Sequence, residues 1–207
     1  DRVHIELDGK YWVTITKDQL VKLGLYKGQS IDEEEKKEIE SQATLQKVMN
    51  KVLEYIQLRP RSTKEVERYL EKKELDEFKE EVLLYLKEKK YLDDEEFTKW
   101  YVENRVSFGV HGPNKIKAEL SKLGISSNMS GRVIAEILGD SERQGEQLDT
   151  IVTYITKIAP RIRASDKYEL QNKIFSRLAG RGFKYEDIKK GYRKYLEGSS
   201  TKSTLEE

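Results

Sequence analysis

The 207-residue chain contains two histidines, His4 and His111, and no cysteine. Histidine catalysis needs a nucleophile or an acid at a recognisable spacing, and a metal centre needs a clustered ligand set. Neither histidine has such a neighbour in the sequence. Without cysteine, disulfides and thiolate metal sites are excluded. No glycine-rich loop of the phosphate-cradling type follows a predicted strand. Asp93-Asp94 could hold a metal or share a proton, but Phe97 follows at once and Glu96 lies three residues after Asp93. That is the pattern of a helix cap with its capping box. The expectation is a protein that is not an enzyme, with no catalytic residue, no cofactor and no metal.

The chemistry that remains is recognition. Phe97, Trp100 and Tyr101 could stack nucleic-acid bases. Residues 97 and 101 share one helix face, however, which places them in a core, while Trp100 lies off that row. Basic residues recur in three places: Arg59, Arg61, Lys64 and Arg68; then Lys115, Lys117 and Lys122, with Arg105 just before; then Arg161, Arg163, Lys173, Arg177 and Arg181. Singly these are solvated surface charges, and an exposed ion pair contributes only about 0–1 kcal/mol. As a row they could follow phosphates or an acidic protein surface with strong salt dependence. Arg105, four residues after Tyr101, either binds a partner or anchors the Gly109–Pro113 turn through its carbonyls.

These residues are carried by a motif that occurs three times. Val66, Leu70 and Leu75 are spaced four and five apart, as are Ile116, Leu120 and Ile125, and Ile174, Leu178 and Phe183. The first two positions are one helical turn apart and the third lies just past a helix end. Each copy leads into another helical stretch, and Pro60, Pro113 and Pro160 each precede one copy, where a helix should stop. Units of this size cannot bury their own apolar face and stack on their neighbours. The expected fold is mainly α, an elongated, curved tandem array of three three-helix, helix-turn-helix-like units with a small N-terminal β-hairpin.

The expected divisions follow the punctuation. Residues 1–31 read as a β-hairpin around Asp8-Gly9, with Val3, Ile5 and Leu7 facing Tyr11, Val13 and Ile15, then a short helix. Residues 32–92 read as a long helix opened by a capping box at Asp32 and Glu35, plus the first unit, in which Ser62 and Glu65 cap the next helix. Residues 93–140 form the second unit, 141–147 a polar linker, 148–198 the third unit and 199–207 a disordered tail.

The chain is 37% charged and 36% hydrophobic, with a net charge of +1. That composition suits a helical protein with much exposed surface. The charge is polarised: residues 151–207 carry 13 Lys and Arg against 7 Asp and Glu, and the preceding part is net acidic. Such polarity orients partners. No apolar run approaches the roughly 18 residues of a membrane span, and no signal peptide is visible, so the expected compartment is the cytoplasm with no membrane partner.

The ordered set Tyr91-Leu92-Asp93-Asp94, Phe97, Tyr101, Arg105, Gly109, Gly112-Pro113, Ile116, Leu120, Gly124 and Ile125 resembles the RecX family, regulators of the RecA recombinase. The likeness extends through Arg61–Val66, Tyr69-Leu70, Leu178-Ala179 and Gly182-Phe183, and covers roughly residues 45–197. The hairpin segment is similar to the N-terminal extension of Gram-positive members. The resemblance implies three tandem three-helix units. It also implies a protein, expected here as a monomer, that binds along the RecA–DNA filament and inhibits strand exchange, ATP hydrolysis and co-protease activity, so modulating recombination and the SOS response. The alternative is a helical repeat that binds single- or double-stranded DNA weakly and without sequence preference. A third reading is a passive scaffold for another acidic partner.

Overall fold

The computed structural model describes the backbone of residues 2–203 and the side chains of residues 2–198. The chain divides into two compact units, one made of residues 1–60 and 66–92, the other of 61–65 and 93–207.

In the first unit, β1 (Arg2–Leu7) and β2 (Lys10–Thr16) pair as an antiparallel hairpin. Asp8 and Gly9 both take positive φ, 50° and 73°, as a type I′ turn demands. Val3 lies opposite Ile15 and Ile5 opposite Val13. A register shift between Ile5 and Glu6 then sets Tyr11 against Glu6. Tyr11 therefore leaves the expected apolar row and is 63% exposed, while Val13 and Ile15 stay buried. An isolated hairpin is marginal in water. This one is stabilised by packing Val13 and Ile15 on Ile39 and Ala43, each fully buried aliphatic contributing about 1.5–3 kcal/mol. The indole of Trp12 donates to Glu40 at 2.6 Å.

The short helix α1 (Lys17–Lys22) opens on a Thr16–Gln19 capping box. Helix α2 (Glu33–Gln57) opens on the Asp32–Glu35 box, with three glutamates in its first turn, where carboxylates favour the helix dipole. Its C-terminal half supplies Val48, Met49 and Val52 to a core with Val66, Leu70, Phe78, Val82, Leu86 and Leu92. Helices α3 (Thr63–Lys72) and α4 (Lys79–Glu88) carry most of the remainder, joined through a 3-10 turn at Asp76–Phe78.

The second unit holds α5 (Asp94–Ser107), α6 (Pro113–Lys122), α7 (Ser127–Leu138), α8 (Ser141–Ile158), α9 (Lys167–Gly180) and α10 (Tyr185–Ser203). Phe97, Val102, Ile116, Leu120, Ile125, Val133, Ile134 and Leu138 form one core. Ile151, Ile155, Ile158, Ala159, Ile174, Leu178, Phe183 and Ile188 form another. The fold is thus mainly helical, with three-helix groups repeated along the chain and a two-stranded hairpin ahead of them.

The threefold motif is the chemical signature of one helix ending used three times. The N–H groups of Leu75, Ile125 and Phe183 donate to the carbonyls of Leu70, Leu120 and Leu178, five residues back, at 3.0–3.2 Å. The residue before each, Glu74, Gly124 or Gly182, has φ of 57°, 85° or 85°. This is the Schellman ending, in which a left-handed residue turns the chain and the next side chain folds back onto the helix.

Two expected boundaries differ. Residues 141–147 are the first two turns of α8, not a linker: Asp140 accepts from the N–H of Glu142 and opens the helix. Polar residues with a glycine read as a loop, but an N-cap residue is polar by necessity. Helix α10 runs to Ser203, so the tail expected to be disordered from 199 is helical that far; 204–207 lie outside the described residues.

Candidate basic interaction face

Asp93 and Asp94 are structural. Asp93 accepts from the N–H groups of Glu95 and Glu96. The reciprocal half of the expected box does not form, since the Glu96 carboxylate pairs with Lys99 at 3.1 Å. Asp94 instead accepts from the N–H of Thr63 at 2.7 Å, capping α3. Among the described residues there is no group of three His, Cys, Asp or Glu side chains that could hold a metal ion.

The aromatic cluster faces inward. Phe97 is 1% exposed, with Trp100 and Tyr101 partly buried against the same core. Arg105 is held on its own unit. It donates to Glu119 at 2.9 Å and to the Tyr101 hydroxyl at 2.8 Å, with the guanidinium 4.8 Å from the Tyr101 ring centre. Its partners are thus Tyr101 and Glu119, not the carbonyls of the Gly109–Pro113 turn. Burial, above all, raises the Tyr101 hydroxyl above its ordinary pKa. His111, beside that turn, titrates below its usual value, chiefly through burial and then through the charge of Lys115.

The basic residues sort into two groups. Arg61 pairs with Glu65 at 3.5 Å, their side chains 13% and 10% exposed, at the start of α3. Arg181 lies 4.5 Å above the Tyr154 ring and donates to the Val110 carbonyl. Lys173 donates to the Arg163 carbonyl and pairs with Glu169. The Lys173 ammonium, helped by the N–H and hydroxyl of Ser165, draws the Glu169 carboxyl down to about 2. Arg59 is partly buried and reaches the Pro60 carbonyl, and Lys64 packs against the turn at Gly124. Arg68 is exposed on the first unit. On the second, Lys122, Arg161, Arg163 and Arg177 are exposed, and Lys115 and Lys117 are half-buried.

Their recurrence is looser than the motif that carries them. Arg68 stands two residues after Val66, Lys117 one after Ile116 and Arg177 three after Ile174. At about 100° per residue these offsets fan over about 200° of helix surface, so they do not form one row of equivalent positions. What the structure does assemble is a cleft of about 490 Å³ on the second unit. Lys117 of α6 lines it together with Lys184 and Lys190, which flank and enter α10. Sequence reasoning passed over Lys184 and Lys190. The available signal was the third motif position, because the residue following Phe183 must leave the turn at the junction.

That junction is tightly built. The N–H of Gly112 donates to the Arg181 carbonyl at 2.8 Å and that of Asn114 to the Gly182 carbonyl at 3.1 Å. A Cβ on Gly182 would fall 2.5 Å from Cβ of Lys115 and closer still to its backbone nitrogen. The equivalent turn at Gly124 meets residues 62–64: the Ser62 hydroxyl donates to the Leu123 carbonyl at 2.7 Å, and a Cβ on Gly124 would lie 2.5 Å from Cβ of Lys64. The N-terminus of one motif helix is thus seated on the C-terminal turn of the next.

Fold and site together define a mainly helical repeat protein that displays basic side chains on both of its units. Residues 93–129 match the family model described as RecX, second three-helix domain. The regulatory protein RecX of Listeria monocytogenes serotype 4a is 30% identical over 187 residues, spanning 90% of this chain and 68% of that protein. The RecX of Bacillus licheniformis is 34% identical over 189 residues, 91% of this chain and 70% of that one. A crystal structure of regulatory protein RecX superposes with a TM-score of 0.76 at 22% identity, covering 91% of this chain and 92% of the other. RecX from Lactobacillus salivarius gives 0.63 at 26% identity, covering 73% and 96%. The chain belongs to the RecX family of regulatory proteins.

Proposed function

We propose that this protein restrains a RecA recombinase in the cytoplasm, acting as a monomer without catalysis of its own. It binds along the RecA–DNA filament and lowers strand exchange, ATP hydrolysis and co-protease activity. The single observation that carries the reading is the set of exposed basic residues, Arg68 on the first unit and Lys122, Arg161, Arg163 and Arg177 on the second, within a chain of the RecX family. Many weak contacts along a filament add through effective concentration. A ligand held by many such contacts obstructs a second DNA duplex or a cleavable repressor without needing a pocket.

The test is RecA ATPase on single-stranded DNA with this protein titrated in at low and at physiological salt. Inhibition at levels well below RecA is expected, weakening as salt rises. Reversing Arg68, Lys117 and Arg177 together should relieve inhibition with helical content intact, and undiminished inhibition would count against the basic face. The second reading, direct binding to DNA without sequence preference, draws on the net basic composition of residues 151–207. It requires binding to DNA in the absence of RecA, with log affinity falling linearly against log salt, and no effect on the ATPase.

A further inference from the structure

We propose that the cleft on the second unit is a docking site for a short acidic peptide segment of a partner protein that bears one bulky apolar side chain. The proposal rests on the basic face being the working face, and it names what one part of that face takes.

The cleft has two chemistries in one place. Its floor is apolar, made by Ile134, Ala135 and Leu138 of α7 and Leu148 of α8. Its rim is cationic, with Lys117, Lys184 and Lys190 against one lining carboxylate, Asp187. Between them Asn114, Gln144 and Gln147 offer amide donors and acceptors of the kind an extended peptide backbone uses. Its volume of about 490 Å³ is within the range of about 300–1,000 Å³ typical of ligand clefts. That is room for an indole or a leucine side chain with its flanking backbone.

The lining favours a peptide over a nucleic-acid strand. Single-strand sites combine cations with aromatic platforms on which bases stack, and among the described residues no aromatic side chain lines this cleft. An aliphatic floor has nothing to offer a phosphate but gives a leucine or tryptophan a place to leave water. The excess of ammonium groups over carboxylates selects an acidic segment and repels a basic one. The walls are also fixed in advance: the backbone bonds from Gly112 to Arg181 and from Asn114 to Gly182 hold the start of α6 against the turn that delivers Lys184. A site held open before binding loses less on ordering.

The probe is a fluorescein-labelled twelve-residue peptide of Asp and Glu around one central Trp, followed by anisotropy with the full chain. Its comparators are the same peptide with Gly for Trp, a Lys-flanked Trp peptide, and oligo-dT. The acidic Trp peptide should bind about tenfold or more tighter than its Gly counterpart. Lys117→Ala with Lys190→Ala should weaken it by about tenfold and flatten its salt dependence. Ala135→Trp, which fills the floor from an exposed position without changing charge, should abolish it, with far-UV circular dichroism confirming the fold. Lys157→Ala with Lys167→Ala, away from the cleft, should leave it unchanged. Equal affinity for the Gly peptide, or binding that survives Ala135→Trp, overturns the proposal. Loss of oligo-dT binding but not of peptide binding on Ala135→Trp assigns the cleft to nucleic acid and overturns it likewise. RecA inhibition is scored separately: a wild-type protein that binds the peptide but leaves RecA untouched removes the functional reading and upholds the docking site.

Discussion

The turns at Gly124 and Gly182 solve the same geometric problem with different chemistry. Both follow a motif helix, both have φ of 85°, and both receive the start of a preceding motif helix. At Gly124 a side chain makes the hydrogen bond, from the Ser62 hydroxyl to the Leu123 carbonyl. At Gly182 two backbone N–H groups make the seam, and the atoms a Cβ would strike include backbone. A seam made by a side chain can be edited by side-chain deletion. A seam made by backbone yields only to added volume.

The largest effect is therefore expected from Gly182→Ala. The left-handed conformation costs a β-carbon about 1–2 kcal/mol, and the clash with Lys115 adds overpacking of about 1–3 kcal/mol. The expected loss is about 2–5 kcal/mol, read from urea unfolding followed by Trp100 fluorescence in a Trp12→Phe background. Gly124→Ala should lose less, about 1–3 kcal/mol, since the atom nearest its added Cβ belongs to the Lys64 side chain. Equal losses would mean that the backbone seam has no special rigidity.

Next in size is Ser62→Ala. Ser62 is fully buried, accepts from the Glu65 N–H as a helix cap and donates to Leu123. Losing a cap and a buried hydrogen bond together should cost about 1–2 kcal/mol. Gly112→Ser, the reciprocal exchange at the other seam, should destabilise rather than substitute, because a Cβ there meets the backbone of Gly182 and Phe183.

Outside the seams, Glu169 supplies a pH signature confined to the start of α9. Its carboxyl is drawn from 4.5 to about 2 by Lys173 and Ser165. Because the folded value lies below the unfolded one, the stabilisation is fully present above about pH 4.5 and is lost as pH falls towards 2. Side-chain NMR titration should place Glu169 well below the other glutamates, and Lys173→Ala should bring it back towards them. The group is solvent-exposed, so its effect on global stability is small.

What the sequence disclosed and what it hid divide along physical lines. The nine motif positions were legible because burial selects apolar residues at a helical spacing, and eight of the nine are buried, with Leu75 partly so. The β-hairpin was legible from Asp8-Gly9, since few dipeptides tolerate two positive φ angles. The helix at 141–147 was hidden because Asp140, Ser141 and Gly145 are as common in loops as at helix starts, and a helical glycine costs only about 1 kcal/mol. The cleft was hidden for a different reason. Lys117 and Lys190 are separated by most of the second unit, and no local pattern reports that the Gly182 seam brings their helices together. Arg105 reads from sequence alone as either a partner contact or a turn anchor: Tyr101 lies four residues before it on the same helix, but Glu119 is on another, and Arg181 is held by Tyr154 and the Val110 carbonyl, both distant in the chain.

The smallest effect has the opposite sign and bears most directly on the comparison. Glu74 occupies in the first motif the place of Gly124 and Gly182, with φ of 57°, and it is exposed. The helix ending needs a left-handed residue at all three positions, but only the seams need the absence of a β-carbon. At position 74 the turn alone acts, so a glutamate is tolerated there at a conformational cost of about 1–2 kcal/mol. Glu74→Gly should remove that strain and return about 0.4–1 kcal/mol of it through the greater freedom of glycine in the unfolded chain. The net expectation is a gain of about 0.5–1 kcal/mol in urea unfolding of the first unit, followed through Trp12 in a Trp100→Phe background. A loss on Glu74→Gly would show that the glutamate side chain contributes something that the turn geometry does not require. The seam would then not be what separates the three motifs.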